Sequence, residues 1–238
     1  MRFSQMFAAC LTAAMVATSA SAQEAAKLSA TFLSSAQLDA SRFLPAPPAD
    51  GSAAAKAEVA ELHAIEAARS AEALASAKSD DETKNASIFA RIMGPGFDLK
   101  ALPATAKLMG EVRTEEKVAA DSAKAYFKRK RPWIVDPSFR SCSRDDEPLS
   151  GYPSGHATMG FAMAVVLADM APDRAQALLA RAQVYADNRL VCGMHFRSAI
   201  VAGQVLGTVV ANDLLANPAF RADRDAAEAE LRAAKVIP

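Results

Sequence analysis

The chain has 238 residues, enough for one domain or two small ones. Lysine and arginine total 27, and aspartate and glutamate also total 27. That balance leaves no bulk field to draw a nucleic acid polymer or an anionic membrane surface. Half the residues (51%) are apolar and only 6% are aromatic. The first figure excludes general disorder; the second, with abundant alanine, favours helices over a β-sandwich.

Residues 1–22 read as a secretory signal peptide. Arg2 supplies the basic start, residues 6–18 are apolar, and Ala20-Ser21-Ala22 forms a small-x-small cleavage site before Gln23. The apolar run is shorter than the roughly 20 residues that cross a bilayer. A lipoprotein site at Cys10 is the other reading, and it leaves too short an apolar run. The expected domain therefore covers residues 23–238, carries no membrane span, and lies in the periplasm or outside the cell. Cys142 and Cys192 remain after cleavage. An exported compartment permits a disulfide between them; two buried free thiols are the alternative. Zinc-type Cys/His spacing is lacking, and no metal or cofactor is expected.

Leu44-Pro45-Ala46-Pro47-Pro48 interrupts any helix, and Asp50-Gly51-Ser52 can start the next. The alanine-rich stretch over 53–78 predicts one long amphipathic helix, with His63 on its surface. A second helical segment is expected over 81–93, before Gly94-Pro95-Gly96. A third runs over 103–128, with Gly110 as a point of interruption. From 131 to 155 the pattern stops among Pro132, Pro137, Pro148, Gly151 and Pro153. Long loops without regular structure in compact domains are usually functional or disordered. Residues 156–170 are apolar on nearly every side, which suggests a helix at the centre of a helical domain. Asp173 can cap a helix reaching 188. An apolar helix over 195–215 and a charged amphipathic helix over 218–235 complete the chain. The fold expected is a single all-α domain: a core helix bundle with one pocket where helix ends converge.

Three clusters carry the chemistry. The first is Lys124-x6-Arg131-Pro132, which alone reads rather as a solvated basic run or an export-related basic patch. The second is Pro153-Ser154-Gly155-His156 directly before a helix. There glycine allows close backbone approach, and free N–H groups attract an anion. The third is Arg189-x5-His195, also at a helix start. Together they supply fixed cations and helix N-termini for a tetrahedral oxyanion. Two histidines beside such an anion can divide the work, one attacking phosphorus and the other protonating the leaving oxygen. Neither role needs a metal.

These three clusters, in this order and spacing, resemble the signature of the type 2 phosphatidic acid phosphatase and vanadium haloperoxidase superfamily. Within it the chain is most similar to the bacterial class A non-specific acid phosphatases, which are secreted and all-helical. The likeness covers nearly the whole expected domain. It includes the proline-rich start near Leu44, Cys142 before an acidic stretch, Val191-Cys192-Gly193, and Asn217-Pro218-Ala219-Phe220. It implies hydrolysis of small phosphate monoesters without a metal. His195 would be the nucleophile that forms a phosphohistidine, and His156 the acid and then base. Lys124, Arg131 and Arg189 would be the phosphate-binding cations, joined by Ser154 and the Gly155 N–H. Self-association into a homo-oligomer is compatible with the resemblance.

Two positions depart from the pattern. Asn188 stands where the third motif usually begins with serine. More serious, Ala199 stands four residues after His195, where the family has the aspartate that orients the nucleophile. Loss of such an orienter costs about 10⁴-fold in kcat in the serine-protease triad. A backbone carbonyl, water or another side chain is left to hold the ring. Ala199 therefore keeps a weakly active or non-catalytic phosphate-binding relative as the second reading. A vanadate-dependent haloperoxidase and a lipid phosphatase are minor ones. Arg197 is also unusual, facing either the phosphate or solvent. Trp133 and Tyr152 line the leaving-group side or serve packing alone.

Overall fold

The computed structural model describes residues 29–238; the leader expected at 1–22 lies outside the described residues. The elements are α1 (Ala53–Ala68), α2 (Ala71–Glu82), α3 (Ala90–Met93), α4 (Pro103–Phe127), α5 (Pro132–Val135), α6 (Gly155–Met170), α7 (Ala175–Val191), α8 (Arg197–Ala216) and α9 (Pro218–Ala233). There is no strand among the described residues, and the all-α expectation stands.

Local signals explain where the elements differ from expectation. The helix expected over 53–78 is two helices. Ser70 accepts a hydrogen bond from the Ala73 amide at 3.1 Å and starts α2, while Arg69 turns extended. The Arg69 guanidinium donates to the carbonyls of Val191 and Arg140, which holds the break open. An N-capping serine with a tertiary anchor thus overrides alanine propensity. The 81–93 segment holds the last residues of α2, a 3₁₀ turn over Ala86–Phe89 capped by Asn85, and the single-turn α3. α4 runs unbroken through Gly110 for 25 residues. The loop after Arg131 contains the short helix α5. α7 begins at Ala175 rather than Asp173, after a 3₁₀ turn over Pro172–Arg174. α8 begins at Arg197, leaving His195 in the turn before it.

α6 is the central element. Its sequence is apolar all round, and Ala157, Met159, Met163, Val166, Leu167 and Met170 are buried. α8, α7 and α4 pack around it. The α6–α8 crossing is close because of glycine. A Cβ on Gly203 would lie 2.6 Å from the Ser154 carbonyl oxygen, and one on Gly207 would lie 2.3 Å from that of Thr158. α8 is long and apolar enough by composition to cross a membrane, but half of it is buried in this bundle, as suits a core helix.

α9 buries Phe220, Ala227 and Leu231. Its Glu230 accepts hydrogen bonds from the Ala104 and Thr105 amides, satisfying free N–H groups at the start of α4. Glu115, buried on α4, accepts from the Thr31 and Phe32 amides and ties the N-terminal segment down. Cys142 and Cys192 are disulfide-bonded, which joins the long loop to the C-terminal end of α7.

Candidate active site

Four chain segments meet at one cavity of about 170 Å³, smaller than the roughly 300–1,000 Å³ of drug-sized ligand sites. The last turn of α4 contributes Lys124, and Arg131 precedes α5. Gly155 and His156 open α6, and His195 lies between α7 and α8. All five line the cavity. Gly155 lies against Lys124: a Cβ there would sit 3.2 Å from Nζ. Arg189, near the end of α7, is 1% exposed. It makes an ion pair with Asp81 at 2.5 Å, and its Nε has no hydrogen-bond partner among the described residues. A buried guanidinium left partly unsatisfied is costly; Arg189 and Ser154 are not among the residues that line the cavity.

His195 is held at both nitrogens. Nδ1 lies 3.0 Å from the Gly151 carbonyl oxygen, which only accepts, so Nδ1 carries the proton. Nε2 lies 2.9 Å from Arg131 Nη1, which only donates, so Nε2 carries the lone pair and accepts from Arg131. The Gly151 carbonyl thus does the orienting that the family pattern gives to an aspartate. Gly151 is itself fixed: its amide donates to the Arg129 carbonyl at 2.9 Å. A Cβ there would lie 2.7 Å from the Lys130 carbonyl oxygen. Ala199 is buried, and its carbonyl accepts from the Ser154 amide at 2.9 Å, which pins the turn before α6.

His156 Nε2 sits 3.2 Å from the Asp81 carbonyl oxygen and 3.3 Å from Asp81 Oδ1. Asp81 therefore bridges Arg189 and His156. Burial, reinforced by Arg189, holds the His156 imidazole well below its usual range, against the pull of Asp81. Burial, reinforced by Arg131, Arg189 and Lys124, does the same to His195. Burial and the neighbouring Arg131 lower Lys124. Burial brings Arg131 down to about 10 despite Asp146 at 3.0 Å. Burial and the neighbouring cations thus favour the neutral form of both histidines.

Other expectations resolve plainly. Ser154 is fully buried, and its hydroxyl accepts from the Ala157 amide at 3.3 Å as the N-cap of α6. Trp133 packs with Cys192 and Met194. The Tyr152 hydroxyl donates to the Pro45 carbonyl. Neither aromatic lines the cavity. Arg197 pairs with Glu61 and Asp187, away from the pocket. His63 pairs with Asp136 and stacks on Phe139.

Sequence reasoning missed Asp81, Gly151, Arg113, Glu116 and Lys84. Of these, Glu116 alone had a readable signal, a charge on the apolar face of α4 in register with Val112 and Ala120. It is fully buried, pairs with Arg113, and burial pushes its carboxyl up to about 7.

Residues 115–221 match the PAP2 superfamily. The acid phosphatase of Zymomonas mobilis is 30% identical over 200 residues, which is 81% of this chain and 75% of that protein. The non-specific acid phosphatase of Salmonella typhimurium is 33% identical over 141 residues. The chain spans about half the length of that relative, 56%. Among solved structures, the first bacterial vanadium dependant iodoperoxidase superposes with a TM-score of 0.52 at 21% identity, covering 75% of this chain and 53% of that one. That likeness concerns the fold alone. By its signature residues, its helical architecture and its similarity to the Zymomonas protein, the chain belongs to the PAP2 superfamily, as a relative of bacterial acid phosphatases.

Proposed function

We propose that the protein is an exported acid phosphatase that hydrolyses small phosphate monoesters through a phosphohistidine at His195. The observation that carries this reading is His195, with its Nε2 lone pair against Arg131, in one cavity with Lys124, Arg131 and His156. The relationship to the Zymomonas acid phosphatase supports the reaction class, and the Cys142–Cys192 disulfide suits an oxidising compartment.

In the proposed sequence Arg131 turns from Nε2 to the phosphoryl oxygens, joined by Lys124, Arg189 and the Gly155 amide. Nε2 attacks phosphorus; the N–P bond forms as the ester P–O bond breaks. Protonated His156 gives its second ring proton to the leaving oxygen, while Nε2 keeps its contact with Asp81. Water then gives a proton to His156 and attacks phosphorus. The N–P bond breaks, and inorganic phosphate leaves. Burial disfavours protonated His156, whereas a phosphoryl anion and Asp81 favour it, so an acidic optimum follows. No step requires a metal.

The test is hydrolysis of p-nitrophenyl phosphate across pH with EDTA present, beside His195→Ala. EDTA-resistant release that His195→Ala abolishes is the expected result; release unchanged in that variant refutes the mechanism. Ala199 sustains the second reading, binding without turnover, which tight phosphate binding with no hydrolysis of several esters would establish.

A further inference from the structure

The cavity extends along α4 past Lys124 and Arg131, the two motif cations that line it. Arg113, Glu116, Ala120 and Lys124 share one face of that helix at intervals of three or four residues, and all four line the cavity. Arg113 and Lys124 lie eleven positions apart on the helix, about 16 Å along the axis. The reach of two long side chains shortens that gap; Ala120 lies on the wall between them, flanked by Lys117 and Asp121. Lys84, exposed on the segment after α2, lines the same opening.

The cations fall into two groups around the two histidines. Arg131, Arg189 and Lys124 act on His195. Lys84 and Arg113, together with Arg189, act on His156. The first group surrounds the proposed nucleophile, and Lys84 and Arg113 face the proposed proton donor to the leaving group. Arg113 has one anionic partner, Glu116. That carboxyl is fully buried, and its Oε2 has no hydrogen-bond partner among the described residues. Burial pushes that carboxyl up to about 7, so acidic pH favours its neutral form, which offsets less of the Arg113 charge.

We infer that Lys84 and Arg113 form a second anion subsite at the mouth of the cavity, selecting phosphate esters whose leaving alcohol carries its own phosphate. This rests on the phosphomonoesterase reading and narrows it to bisphosphates of small polyols. The first phosphate sits among Lys124, Arg131 and Arg189. The second spans toward Arg113 and Lys84, and the alkyl segment passes over Ala120.

Two non-hydrolysable probes test this without turnover: butylphosphonate and butane-1,4-bisphosphonate, titrated calorimetrically at pH 5.5. The wild type is expected to bind the bisphosphonate at least tenfold more tightly, and Lys84→Gln with Arg113→Gln to lose that preference. Lys84→Gln alone alters an exposed side chain and should lose part of it. Butylphosphonate binding with no preference for the bisphosphonate overturns the subsite and leaves the phosphatase reading standing. A preference that survives in the double variant also overturns the subsite. If neither probe binds and no monoester is hydrolysed, both readings fall. With turnover, the ratio of kcat/KM for butane-1,4-diol bisphosphate over butyl phosphate should follow the same order.

Discussion

Gly151→Ala tests the idea that a backbone carbonyl replaces the family's aspartate. The new Cβ would meet the Lys130 carbonyl oxygen at 2.7 Å and that of Arg129 at 2.9 Å, where ordinary contact begins near 3.4 Å. Relief requires a displacement of about 0.7 Å, the difference between contact and clash. That shift would carry the 3.0 Å contact between Nδ1 and the carbonyl beyond the range of a good hydrogen bond. A neutral hydrogen bond of this kind is worth about 1 kcal/mol. Misplacing a reacting group by about 1 Å costs on the order of 10²-fold. A fall in kcat of roughly 10- to 100-fold is expected, with KM little changed because the cations keep their places. The assay is steady-state hydrolysis of p-nitrophenyl phosphate, with thermal melting to verify the fold and imidazole nitrogen shifts to read the tautomer. Ala199→Asp in the Gly151→Ala background should restore part of kcat by returning a carboxylate to the motif position. A Gly151→Ala protein with kcat within twofold of wild type would refute the orienting role of this carbonyl.

Asp81→Asn removes the anion that bridges Arg189 and His156. Protonated His156 then becomes harder to form, and the basic limb of the kcat profile should move about one pH unit lower; a profile identical to wild type would show that Asp81 acts only as packing. For Glu116, burial raises the folded carboxyl to about 7 from an unfolded 4.5. Its contribution to stability is complete below pH 4.5 and lost as pH rises through 7. Denaturant titrations should therefore find Glu116→Gln gaining on wild type across that window, by at most about 3 kcal/mol; a gap constant from pH 4 to 8 would contradict an uncharged Glu116. Reducing the Cys142–Cys192 bond opens a loop with a sequence separation of 50. The chain-entropy account predicts a loss of about 4 kcal/mol, read as a lower melting temperature in reductant; an unchanged melting curve would argue against it.

Helix positions were legible where composition and periodicity agreed. α6 is apolar all round in sequence because it is surrounded in the fold, and α9 is amphipathic because one face packs on α4. The break at Ser70 was harder to see, because the capping serine sits in an alanine-rich run and its anchor, Arg69, reaches the distant Val191 and Arg140. Lys124, Arg131, Gly155, His156 and His195 were identifiable as a group because their spacing is local within each motif, and these five share one cavity.

The sequence by itself determined the helical class, the order of the motif residues and the missing carboxylate at Ala199, while the Cys142–Cys192 bond was settled by the structure. Each depends on residue type and short-range spacing. Only the tertiary structure decided what holds the His195 ring, since the Gly151 carbonyl is a backbone atom that no residue type announces, placed by a loop 44 positions away. Tertiary packing also brought Asp81 between Arg189 and His156, and set Lys84 and Arg113 at the mouth of the cavity. These contacts join segments whose separations are fixed by how α2, α4 and α7 pack, and no local pattern in the chain encodes them.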